Sequence, residues 1–327
     1  MLSRVSSQKV AQRIFERAAG FDWRRYTIFL AFVAIFVFFA ITLSGSGFLS
    51  VNNLLNIVRQ TAIIGVMAVA MTFVISAAEI DLSVGSVAGL ASVVSAMTVS
   101  DYGIFASIVC GLLTGVVAGG INGLLVATIG IPSFLVTLAM LGIAQGSAMW
   151  ATNAAPIPVV DQTFNNIFGS GQIGPVPVLF IWLAVILVAG HLVLRKAAYG
   201  RQVLATGGNE EAARFSGIKT RRIKFYVLLA SGIVAALAGM LYAGYLQSGR
   251  YQYGQGDELS VIAAVILGGT SLFGGYGTVI GSVLGALLVG LINNGLTIMG
   301  LEYSQQQVIQ GVIIILAVAL ARKGPKG

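Results

Sequence analysis

Charge is what this chain has least of. Asp, Glu, Lys and Arg together make up 9% of its 327 residues, where a soluble domain carries about a quarter. With 57% apolar residues and a mean hydropathy of +0.92, the chain cannot bury its apolar surface as a soluble globule. Cys110 is the only cysteine, so no intrachain disulfide can form. His191 is the only histidine. With one His and one Cys there is no basis for a nucleophilic constellation, and no metal-ligand cluster. No lysine occurs between Lys9 and Lys196, and no GxxxxGK[ST] phosphate loop is present anywhere. The chain therefore carries no ATP or Mg site of that kind and no cofactor of its own. Gly275-x-Gly277-x-x-x-Gly281 lacks the preceding strand of a dinucleotide loop and reads as helix packing.

What is present is a series of apolar runs long enough to cross a bilayer as helices rather than as alternating strands. The fold class is all-α polytopic, with about ten membrane helices. The runs lie near 27–46, 61–78, 84–99, 104–129, 133–151, 176–194, 225–245, 259–270, 277–297 and 304–321. The eighth is too short for a full span and ends in the glycine-rich turn Gly268 to Gly277. Residues 48–60 and 246–258 read as interfacial segments. A basic N-terminal segment, 1–26, is expected to be retained rather than cleaved, and a short tail, 322–327, follows the single transmembrane domain 27–321. The net charge of +8 reports orientation, not nucleic acid binding. If both termini are cytoplasmic, the basic segments 1–26, 195–224 and 322–327 all fall inside. They hold every Lys and Arg except Arg59 and Arg250, as the positive-inside rule requires. The partners in lipid are then membrane lipids and neighbouring helices. Gly111, Gly115, Gly119 and Gly123 recur every fourth residue, as do Gly277, Gly281 and Gly285. Such rows let another backbone approach closely.

The most polar stretch lies inside 195–224. Gly207-Gly208 is a turn signal and Asn209 an N-cap. Glu210 and Glu211 suit the positive end of a short helix, and Gly217 stops it. At membrane depth, Glu79, Asp81, Ser83, Asn122, Gln145, Asn293 and Asn294 are candidates for a solute path. Helix capping by Asp81 or Ser83, and interhelical bonding by the amides, are the structural alternatives. Asp81-Leu82-Ser83-Val84 and Glu258-Leu259-Ser260-Val261 each open an apolar run. In this topology they enter from opposite faces, which is an inverted repeat; chance is the competing explanation in so apolar a chain.

Glu211-Ala212-Ala213-x-x-x-Gly217 resembles the EAA loop of ABC importer permeases. Together with Ile80 to Ser86, Ala205 to Asn209 and Ile262 to Thr270, it looks like the bacterial permeases for ribose and related monosaccharides, from about residue 48 to 321. The resemblance implies a type II importer-like permease in the inner membrane. It also implies a second permease copy, identical or paralogous, a cytoplasmic ATPase subunit that binds ATP and Mg, and a periplasmic sugar-binding protein. Asn209, Glu210, Glu211, Ala212, Arg214, Phe215, Gly217 and Ile218 are then the residues that couple to the ATPase. Phe215 or Ile218 would fill its groove, with Glu210, Glu211 and Arg214 as a charged rim. Glu79 departs from the pattern, since many members carry a small residue there. An ion-coupled secondary transporter or channel is the alternative. The few ionisable residues within the first six spans speak against it.

Overall fold

The computed structural model describes residues 24–321; most of the basic N-terminal segment and the tail 322–327 lie outside the described residues. The chain is built from helices with four two-residue strands among the described residues. In order they are α1 (Arg24–Thr42), α2 (Val51–Ser76), α3 (Val84–Leu124) and α4 (Ser133–Thr152), then β1 (Ile157–Pro158), α5 (Gln162–Phe168), β2 (Gln172–Ile173) and β3 (Val176–Pro177). There follow α6 (Val178–Arg195), α7 (Ala198–Gly208), α8 (Glu210–Phe215), α9 (Thr220–Leu246), β4 (Ser248–Gly249), α10 (Asp257–Leu267), α11 (Val279–Ile298) and α12 (Tyr303–Ala321). Among the described residues, six helical stretches are long and apolar enough to cross a membrane. The outward faces of α1, α3 and α4 expose Phe38, Phe105 and Leu138 among others, surfaces that only lipid or another apolar chain can cover.

One of the six is Val84–Ile129, 46 residues including a π-helical end. At 1.5 Å per residue a straight helix of that length would reach about 69 Å, twice a bilayer core. Gly103 breaks it, with φ 80° and ψ 178°. The Ser107 hydroxyl donates to the Ser95 carbonyl at 2.8 Å, so the arms before and after Gly103 run antiparallel. The expected turn at 101–103 is therefore the tip of a hairpin. Its second arm carries the Gly111–Gly123 row and packs on α9. A Cβ at Gly115 would stand 2.2 Å from the Gly232 carbonyl, and one at Gly119 2.7 Å from that of Leu228. Backbone meets backbone along this seam, as the glycine spacing requires.

Residues 48–60 differ from expectation. They form no separate interfacial segment from Val51 onward, because α2 continues without a break through the expected second span. Neither Pro nor Gly interrupts 51–64. The polar residues of this turn find partners in protein instead of headgroups: Asn53 and Asn294 on α11 exchange two amide hydrogen bonds at 2.9 and 3.0 Å. Asn294 is thus an interhelical tie. The Ser50 side chain caps the helix on Asn53 N. The principal core, with Met67, Met71, Ile75, Leu228, Met240 and Leu241 fully buried, lies between α2, α3 and α9.

The 152–177 loop is pinned to the far end of α9. β1 pairs antiparallel with β4, with Ile157 opposite Gly249 and Pro158 opposite Ser248. Val159 N adds a bond to the Gln247 carbonyl at 2.9 Å.

Candidate functional site

Three polar regions stand out from the apolar body. The first is α8. Asn209, extended at φ −158°, caps it with its side-chain oxygen on Ala212 N at 2.9 Å. Glu210 and Glu211 occupy the first turn. Gly217 closes the helix at φ +84°, and Ile218 N returns to the Ala213 carbonyl at 3.0 Å. That left-handed closure is why a glycine ends the segment. Gly207-Gly208 forms no turn of its own. Both glycines belong to α7, and a Cβ at Gly207 would sit 2.0 Å from the Ser76 carbonyl. The chain changes direction at Asn209.

The apolar side chains of this region divide by face. Phe215 is 80% exposed, with the Arg214 guanidinium 5.9 Å from its ring centroid. Ile218 is half-buried against the core, so Phe215 alone is offered outward. Glu211, Ala212 and Arg214 are exposed with it. Glu210 points back, its carboxylate 2.7 Å from Lys224 Nζ on α9. Partial burial pushes the Glu210 carboxyl up. The hydrogen bond and charge of Lys224, the Thr220 hydroxyl and the charge of Arg214 outweigh that and hold it below its ordinary value. The same ammonium lies 2.9 Å from the carboxylate of Glu79, which is buried.

The second region is the segment between α2 and α3. The Asp81 carboxylate accepts from Ser83 N at 2.9 Å and from the Ser83 hydroxyl at 2.6 Å. The Asn122 amide donates to that hydroxyl at 3.0 Å. The backbone around Asp81 is held by α4: the Ser133 hydroxyl accepts from Ile80 N and that of Thr137 from Leu82 N, each at 3.0 Å. Asp81, Ser83 and Asn122 are each 1% exposed. The path candidates therefore do not share one open surface. Glu79, Asp81, Ser83 and Asn122 are enclosed by protein, Gln145 and Asn293 are half-buried on α4 and α11, and Asn294 is bonded to α2. Asp81 rather than Ser83 supplies the bond at the start of α3.

The third region has the aromatic and polar composition of an interfacial segment. The structure places it deeper. From β4 the chain descends along the first arm of α3. A Cβ at Gly249 would lie 2.5 Å from the Ser92 carbonyl and one at Gly89 2.9 Å from that of Tyr251. One at Gly85 would lie 2.0 Å from that of Gly254 and 2.7 Å from the Glu258 carboxylate. Gly85 is 18 residues from the hairpin tip, about 27 Å along the helix. Here the two Asp/Glu-Leu-Ser-Val sequences meet. α10 then starts at Asp257 and runs on for 11 residues, about 16 Å, half a bilayer core. It ends where Gly268 abuts Gly281. The short eighth run is a half-span.

Gln252, Gln255 and Leu259 are exposed at this break, and Asp257 and Glu258 are half-buried. The Tyr242 hydroxyl donates to Asp257, and the Tyr242 and Tyr253 rings lie 5.6 Å apart. Among the described residues no ion pair reaches either carboxylate. Irregular backbone and open polar side chains survive at such depth only against protein or water. The sequence signal for these residues was an apolar run too short to span, opened by two adjacent carboxylates.

Residues 53–318 match the family described as the permease component of branched-chain amino acid transport systems. Similar proteins include the ribose import permease protein RbsC of Escherichia coli, 38% identical over 327 residues that span 98% of this chain and 99% of that one. The ribose import permease protein RbsC of Bacillus subtilis is 39% identical over 295 residues, 89% of this chain and 92% of that one. The xylose transport system permease protein XylH of Escherichia coli is 34% identical over 358 residues, 90% of each. No solved structure matches the chain. The helical body, its lipid-facing flanks and these relationships agree: this is a multi-pass membrane permease, and it belongs to the branched-chain amino acid transport system permease family.

Proposed function

We propose that this chain is the membrane-spanning subunit of an ATP-binding-cassette importer for a monosaccharide, ribose or a related sugar or polyol. The observation that carries this is its 38% identity to a ribose import permease over 98% of the chain. In this reading ATP and Mg are bound and hydrolysed on a separate cytoplasmic subunit, and a periplasmic protein delivers the sugar. A second permease copy completes the pore. α1, α2, the two arms of α3, α4, α6, α9, the half-span α10, α11 and α12 are the ten membrane segments of a type II importer-like body. Both termini and α7–α8 face the cytoplasm.

α8 engages the ATPase subunit. Its exposed Phe215 enters a groove there, and Glu211 and Arg214 rim the contact. Closure of the ATPase moves α8, and the tightly packed glycine seams repack between inward- and outward-open states. The polar break formed by Tyr251 to Leu259 lines the solute path, where amides donate to and accept from sugar hydroxyls and carboxylates accept from them. Its position along the first arm of α3, away from the hairpin tip, and its open side chains support this assignment.

The test is reconstitution with the ATPase and binding proteins. Sugar should accumulate only with ATP. Glu211→Lys and Gly217→Arg should insert normally and abolish accumulation; transport that survives both would refute the role of α8. The half-buried Asp257 and Glu258 favour one second reading, ion coupling. Accumulation driven by a proton or sodium gradient without nucleotide would establish it instead.

A further inference from the structure

A single lysine joins two carboxylates that are 131 residues apart in sequence, Glu79 and Glu210. The side-chain exposures form a gradient: 47% at Glu210, 20% at Lys224 and 8% at Glu79. The link therefore runs from the aqueous surface into protein. A compact ammonium with three donors suits two acceptors at once. Removing it would strand a buried carboxylate, which is costly.

What Glu79 is attached to gives the link its interest. Its segment is seated on both sides. The Ser76 carbonyl accepts from Gly275 N at 3.0 Å, and Gly207 and Gly274 pack on Ser76 and on Ala78. Ala78 is held at φ +61°, a left-handed backbone that a non-glycine residue adopts only when its surroundings enforce it. Two residues beyond Glu79, Asp81 organises the start of α3, and four further on Gly85 touches Gly254 and Glu258 at the polar break. By contrast α8 is loosely held. Only Ala213 of its residues is buried, and Glu210 ties it to Lys224 and Thr220 on α9.

We propose that Glu79 is a positioning residue that, through Lys224, ties α8 to the segment opening α3, so that displacement of α8 is delivered to the polar break. The chain of contact is Glu210, Lys224, Glu79, Asp81 with Ser83, and then Gly85 against Gly254 and Glu258. This assigns Glu79 to transmission and not to contact with the solute. It rests on the reading of α8 as the ATPase-engaging helix.

Two variants and their combination test it in vesicles that also hold the ATPase and binding proteins. Glu79→Gln keeps the shape and leaves Lys224 paired with Glu210. It should melt like the parent and retain the ATPase subunit on co-purification. Sugar imported per ATP hydrolysed should nevertheless fall at least about tenfold. Glu210→Gln should lower the same ratio. The double variant should be no worse than the poorer single one, because both cut one relay. A purely structural tie would lower the melting temperature and leave the import ratio unchanged, which overturns the proposal. So do additive losses in the double variant. Failure of the underlying function looks different: the parent chain itself would then neither hold the ATPase subunit nor import sugar with ATP.

Discussion

The two related tetrapeptides lie side by side and live in opposite surroundings. Asp81-Leu82-Ser83-Val84 is sealed: its carboxylate accepts from the Ser83 hydroxyl, that hydroxyl accepts from the Asn122 amide, and α4 holds its backbone. Glu258-Leu259-Ser260-Val261 is open on one side: Ser260 and Val261 are buried but Leu259 is 54% exposed, and the carboxylates of Asp257 and Glu258 are unpaired with any cation among the described residues. One pattern thus serves two ends. Where hydroxyls and amides surround it, the acidic residue fixes a helix start. Where no cation and no neighbouring helix encloses it, the same residue type is left for something that arrives from outside the chain.

The contact between the two is the first thing to break. Gly85→Val would drive its side chain into the Gly254 carbonyl and the Glu258 carboxylate. Backbone cannot yield as a side chain can, so uptake should fall by about a hundredfold, measured as initial sugar uptake at equal membrane content. The contrast between sealed and open is sharpened by a pair of substitutions. Asp81→Ala strips two donors of their acceptor inside protein and should destabilise by about 3 kcal/mol, read as a lower melting temperature in detergent. Glu258→Gln should leave melting unchanged and raise the half-saturating sugar concentration about tenfold. Equal melting shifts in the two variants would erase the distinction between the sealed and the open carboxylate. The smallest effect concerns pH. Glu210 is held below its ordinary value of 4.5, so its contribution is fully present above that value. It is lost as pH falls through the lowered folded value. Because the group is 47% exposed on its side chain, the loss should stay below about 1 kcal/mol, visible as slightly weaker retention of the ATPase subunit in a pH series below 4.5.

Local features were legible in the sequence. Asn209 caps a short helix and Gly217 ends it, because both act through their own backbone or a neighbour three residues away. The hairpin at 101–103 and the glycine seam followed from spacing alone. Depth and long-range pairing did not. Residues 246–258 have the composition of an interface, but Gly85, Gly89 and Gly249 let that stretch slide down α3. Nothing near Asn53 in sequence announces Asn294, so the polar pattern suggests an interfacial segment where a continuous helix stands. Glu79 is the clearest case: its partner Lys224 lies on the far side of the fold's connectivity, and only the assembled helices bring the charges together.

The hairpin tip carries a practical corollary. A side chain built at Gly103 would meet no atom within 4 Å, and Tyr102 beside it is 76% exposed. A short epitope spliced in there would disturb no packing. Its labelling by an impermeant antibody on intact spheroplasts would report directly which end of the hairpin looks out of the cell.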